Sequence, residues 1–174
     1  NALGHRDARK DQALKGRHEA DARPMSQSLV QLYVHLIFST KERRPLIHPS
    51  VQDELRAYLG GVLREWESPA TRIGVVEDHV HILCRLSKNH AVKTILEEIK
   101  KSSSKWIKSK PGIGRGFYWQ AGYGAFSVSP SRLVAVQTYI EKQSEHHKRV
   151  TFQEEYRRFL EEYNIPYDER YVWD

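Results

Sequence analysis

The run Glu77-Asp78-His79-Val80-His81-Ile82-Leu83-Cys84 constrains this chain more than any other segment. In an extended strand, side chains two apart leave the same face. His79 and His81 therefore point together, while Val80, Ile82, Cys84 and Leu86 point the other way, into a core. Two neutral imidazoles side by side on a rigid strand supply two-thirds of a metal site with an open position. The lone cysteine, Cys84, has the inward parity and reads as a small core hydrophobe in a reducing compartment.

A second strand shows the same period. Val30, Leu32, Val34, Leu36 and Phe38 form one apolar row, and Gln31, Tyr33 and His35 lie in the other. A charged loop, Lys41 to Pro45, follows. Ser50 is expected to cap a helix with Val51, Leu55, Tyr58, Leu59, Val62, Leu63 and Trp66 on its apolar side. Thr71–Val76 and His79–Leu86 read as paired strands. Asn89 is expected to cap a second helix carrying Val92, Ile95, Leu96, Ile99 and Trp106. Phe117–Val128 reads as a fourth strand bent at Gly122-Tyr123-Gly124, and Pro130 opens a third helix from Ser131 to about Ser144. A short amphipathic tail carries Phe152, Tyr156, Phe159, Leu160 and Tyr163.

This order predicts an α+β fold of the ferredoxin-like or RRM-like kind. Two helices cover one face of a four-stranded antiparallel sheet, and a further helix bears Tyr139. The opposite face, with His79, His81, Leu83, Arg85, Tyr33 and His35, is expected to be free to act. Three regions are expected: 1–24, an extension too polar to order itself; 25–150, the functional domain; and 151–174, a helical tail. Met25, the sole methionine, reads as a natural start.

Tyr139 and Gln143 are four apart, so they share one helical face. Gln143 offers a carbonyl oxygen to complete a His-His-Gln site, and Tyr139 a phenol beside it. His146 and His147 follow closely, and either is a rival third ligand. His35 has the parity to approach the site in a supporting or structural role.

The motif His79-Val80-His81 followed by Tyr139-x-x-x-Gln143 resembles the single-tyrosine HUH transposases, which move insertion sequences as single-stranded DNA. The resemblance covers about Leu29 to Lys148. It includes Ile37-Phe38-Ser39-Thr40-Lys41 and the stretch from Trp119-Gln120 to Ser129. It implies that Tyr139 attacks a backbone phosphate at a hairpin-marked element end, forming a 5′-phosphotyrosine and freeing a 3′ hydroxyl. Mg²⁺ or Mn²⁺ at His79, His81 and Gln143 would assist, although imidazoles also accept zinc. The rejoining step needs no nucleotide triphosphate, in keeping with the lack of a Walker-type loop. Gly112, Gly114 and Gly116 read as a mobile connection. The resemblance also implies a cytoplasmic, nucleoid-associated homodimer in which Tyr139 can serve the partner's histidines.

The formal net charge of +6 leans toward a polyanionic partner. Lys100, Lys101, Lys105 and Lys108 are candidates for a phosphate track, with Arg43, Arg44 and Arg115 beside them; their bland reading is a solvated face. No apolar run is long enough to span a membrane. Three alternatives remain: a relative processing dispersed palindromic repeats, a non-catalytic RRM-like binding module, and a small metal-dependent hydrolase.

Overall fold

A computed structural model describes residues 28–112, 116–146 and 150–173. Residues 31–174 form one compact unit. The expectation for residues 1–24 falls outside the described residues.

Four strands, β1 (Leu32–Ser39), β2 (Ala70–Val75), β3 (His79–Leu86) and β4 (Gly124–Val128), form a sheet in the order β2-β3-β1-β4. Every pairing is antiparallel. Helices α1 (Pro49–Glu65) and α2 (Val92–Lys108) complete the ferredoxin-like plan. Their apolar sides meet one face of the sheet. Leu55, Leu59, Leu63, Ile95 and Ile99 pack with Leu36, Phe38, Val80, Ile82 and Cys84, all fully buried. The period-2 rows of β1 and β3 thus sort as expected. Burial pushes the Cys84 thiol up to about 12, so it stays protonated as a core group.

The other face is not free. Helix α3 (Leu133–Glu141), the short α4 (Gln143–His146) and α5 (Phe152–Glu162) follow β4. Ile140 packs with Leu83 and Val128, and Phe152, Tyr156 and Leu160 pack with Ile37 and Phe126. The sheet is therefore covered on both sides. The reason lies in α5: its apolar residues at helical spacing need a surface, and Ile37 and Phe126 provide one. Thr151 starts α5 with a reciprocal cap, its hydroxyl accepting from the Glu154 N–H at 3.3 Å while the Glu154 carboxylate accepts from the Thr151 N–H at 2.9 Å.

Local signals differ from expectation in four places. The N-cap of α1 is His48, whose ring accepts from the Ser50 N–H at 3.3 Å, with Pro49 as first helical residue. Helix α2 begins after Ala91, because Asn89 turns aside to donate to Glu67 at 2.7 Å. The third helix breaks at Lys142, dividing α3 from α4. The fourth strand begins only at Gly124, although Trp119 makes an isolated bridge to Thr40.

Lys100 explains that late start. Its ammonium donates to the carbonyls of Gln120, Ala121 and Gly122 at 3.1, 3.1 and 2.6 Å, gathering the chain into a turn where a strand was expected. Burial draws its pKa down to about 8. Lys100→Met leaves these three acceptors without their cation. We expect it to lower the unfolding free energy by about 1–3 kcal/mol, read by urea denaturation; an unchanged midpoint would remove this role.

Candidate active site

The alternation of β3 sends His79 and His81 onto the α3/α5 side, and both are fully buried. Buried imidazoles need a partner at each ring nitrogen. For His79, Nδ1 meets the Asp78 carboxylate at 2.6 Å and Nε2 meets the Gln143 amide nitrogen at 2.8 Å. The carboxylate fixes Nδ1 as the protonated nitrogen and leaves Nε2 with its lone pair facing inward. For His81, Nδ1 meets Nε2 of His35 at 2.9 Å. Burial, and secondarily the nearby His81, hold the His35 pKa well below its ordinary value. His35 is therefore a neutral orienting partner for His81, as its parity on β1 suggested.

The Nε2 atoms of both rings also face Glu155. Its Oε2 lies 3.8 Å from His79 Nε2 and 3.6 Å from His81 Nε2. The three residues are buried, and one donor atom from each lies within 4.8 Å of the others. Burial pushes the Glu155 carboxyl up to about 7, with Asp78 adding to the rise and His79 opposing it. Glu155 was not among the sequence-derived candidates. A signal for it exists: it lies three residues after Phe152 and four before Phe159, an acid inside an apolar helical stripe.

Gln143 is also buried, and its Oε1 has no hydrogen-bond partner among the described residues. That oxygen lies over Gly74, where a Cβ would come within 2.2 Å of it and 2.8 Å of the Ile140 side chain. Gly74 is thus glycine because Gln143 and α3 approach the backbone of β2 so closely. Two imidazole nitrogens, a carboxylate and an amide carbonyl able to rotate inward form a mixed donor set that fits a divalent cation.

Tyr139, on α3, is half-buried and stands at the edge of this group. Its ring centroid lies 5.9 Å from that of His81, 6.4 Å from His35 and 5.8 Å from Phe159. Tyr139, Gln143 and both histidines therefore gather within one chain. Of the rival ligands, His146 ends α4 and His147 lies outside the described residues. Tyr139 also borders an open cleft of about 650 Å³ between α3 and α5.

The basic candidates lie elsewhere. Lys101 and Lys105 are exposed on α2, on the other side of the sheet. Lys108 sits 3.6 Å over the ring of Tyr118. Lys100 is turned inward by its three carbonyls. The Arg43 guanidinium lies against Trp173 and donates to its carbonyl at 3.3 Å, and Arg44 is exposed. Arg115 falls outside the described residues.

Residues 28–143 match the family described as Transposase IS200 like. The ISDra2 transposase TnpA of Deinococcus radiodurans is 26% identical over 118 residues, spanning 65% of this chain and 84% of that protein. A crystal structure of a Deinococcus radiodurans R1 protein described as a transposase superposes with a TM-score of 0.54 at 26% identity, over 68% of this chain and 95% of that one. A REP-associated tyrosine transposase bound to a REP hairpin shares the fold, with a TM-score of 0.55 at 16% identity, over 72% of this chain and 74% of that one. Together with the paired histidines on the central strand, the match over most of the folded unit assigns this chain to the IS200-like transposase family.

Proposed function

We propose that this transposase nicks and rejoins single-stranded DNA at hairpin-marked ends, with Tyr139 as nucleophile. The observation that carries the reading is the gathering of Tyr139 beside His81, with His79, Gln143 and Glu155 around one buried point. The phenolic oxygen forms a bond to the scissile phosphorus, and the bond from phosphorus to the 3′ oxygen breaks. The phenol's proton passes to solvent, and a solvent proton completes the hydroxyl on the departing 3′ oxygen. The phosphotyrosine keeps the energy of the phosphodiester, so a later 3′ hydroxyl can reverse the reaction.

The chain's own groups are arranged for this step. Asp78 and His35 hold the two imidazoles in fixed tautomers, with an Nε2 of each turned to the centre. Mg²⁺ or Mn²⁺ held by His79, His81 and Gln143, with Glu155 as a further oxygen donor, would neutralise charge developing on the phosphate. A hard carboxylate and amide oxygen beside two imidazoles suit either ion. Because Tyr139 and the histidine pair of one chain already adjoin, the reading favours a nucleophile acting within its own chain. A functional unit of this kind extends past residue 150 to include α5.

Hairpin DNA as the substrate draws support from the structural neighbour solved with a REP hairpin. Lys101, Lys105 and Lys108, with Arg43 and Arg44, are proposed as sequence-neutral phosphate contacts. Arg115 is proposed with them from its sequence position alone, and Lys100 serves first as the anchor of residues 120–122.

Three outcomes check this reading. Wild-type protein, Mn²⁺ and a labelled hairpin-bearing single strand should give a covalent adduct on a denaturing gel, and Tyr139→Phe, which keeps the ring packing, should give none. An adduct from Tyr139→Phe would remove the nucleophile assignment. Asp78→Asn frees the His79 tautomer and should weaken Mn²⁺ binding by about 10–100-fold in calorimetry. Gly74→Ala should displace Gln143, reduce Mn²⁺ affinity to the level of Gln143→Ala, and lower stability by about 1–3 kcal/mol; wild-type affinity in Gly74→Ala would exclude Gln143 as a donor.

A further inference from the structure

The cleft between α3 and α5 shares His35, Tyr139 and Glu155 with the site described above, and the rest of its lining has no role assigned so far. It opens beside Tyr139 and reaches to the ends of both helices. Its walls combine two kinds of surface. Phe159 and Tyr163 present aromatic rings from α5 and its end, each within reach of Phe126, at centroid distances of 5.3 and 4.9 Å. Arg132, from the turn before α3, and Arg158, on α5, also line it. Arg132 reaches Glu162 across it at 3.7 Å, and both partners of that pair are well exposed. An exposed pair of this sort holds by less than about 1 kcal/mol and yields readily to a stronger anion. A cleft with flat apolar rings within and two arginines along it matches one nucleotide of a single strand: base against ring, phosphate against guanidinium. Its volume of about 650 Å³ admits a nucleotide.

The position fixes which nucleotide. The buried face around His79 and His81 is covered by α5, so a DNA strand does not reach Tyr139 through it. Tyr139 lines the cleft, which is an open approach to that residue among the described residues. We infer that the α3/α5 cleft holds the unpaired nucleotide adjoining the scissile phosphate, with its base on Phe159 and its outer phosphate between Arg132 and Arg158. The inference rests on the strand-transfer reading above and adds a substrate subsite to it. Phe159 and Arg158 come from the C-terminal helix, beyond the stretch that matches the family.

The test uses the full chain carrying Tyr139→Phe, in EDTA, with a fluorescein-labelled oligothymidylate followed by anisotropy. Phe159→Leu retains apolar volume against Phe126 but removes the flat ring. It should weaken binding by about 5- to 100-fold, as the loss of one base stack does. Arg158→Gln, at an exposed position, should flatten the slope of log Kd against log salt by about 0.7, one phosphate contact on a single strand. A structural effect alone would not move that slope. If both variants bind with wild-type affinity and slope while unsubstituted protein still forms its covalent adduct, the cleft is not a nucleotide site and the strand-transfer reading stands. If unsubstituted protein neither binds the strand nor forms the adduct, both readings fall.

Discussion

Imidazoles cannot be buried on the face of a sheet unless their nitrogens meet partners, and this condition organises the α3/α5 half of the molecule. A polar group left without a partner in such a place costs about 1–3 kcal/mol. The partners come from far apart in the chain. Asp78 lies in the turn before β3, His35 on the adjoining strand, Gln143 just past the break at Lys142, and Glu155 on α5. Holding them in place ties the turn, the central strands and two helices into one polar arrangement. The α1/α2 half rests mainly on apolar rows that pack without directional demands, with Lys100 and Ser103 as its polar anchors to residues 119–122.

That difference explains what the sequence made legible. The rows of β1 and β3 alternate without interruption, so the facing of His79, His81 and His35 follows from the pleat alone. The order of strands and helices follows from the same periodicities. The cap of α1 falls on His48 and not on Ser50 because the imidazole competes with the serine two residues on. β4 starts later than its periodicity suggests because Lys100, some twenty residues earlier, bends residues 120–122 through bonds that no local pattern announces.

Glu155 was hidden for another reason. An acid in a polar helix is unremarked, and the amphipathic pattern of α5 looked complete from its apolar members alone. Its spacing from Phe152 and Phe159 marks it as facing the apolar side, but that it meets the histidines shows only once the helix has a surface to lie on. The same holds for the closure of the histidine face. The sequence showed that α5 had an apolar side but not which surface it would meet. Gly74 belongs here too, since nothing in its neighbours along the chain foretells the approach of Gln143. The stretch matched to the family ends at Gln143, so the carboxylate enters from outside it.

The order of elements gives the polar arrangement a history. All four strands precede α5, and chains emerge from the ribosome starting at their N-terminal end. A sheet assembled before α5 seats would leave its imidazoles standing in water, open to dissolved solutes. Seating of the last helix ends that exposure. After it, the open cleft that His35, Tyr139 and Glu155 help to line is what still joins that arrangement to bulk solvent among the described residues.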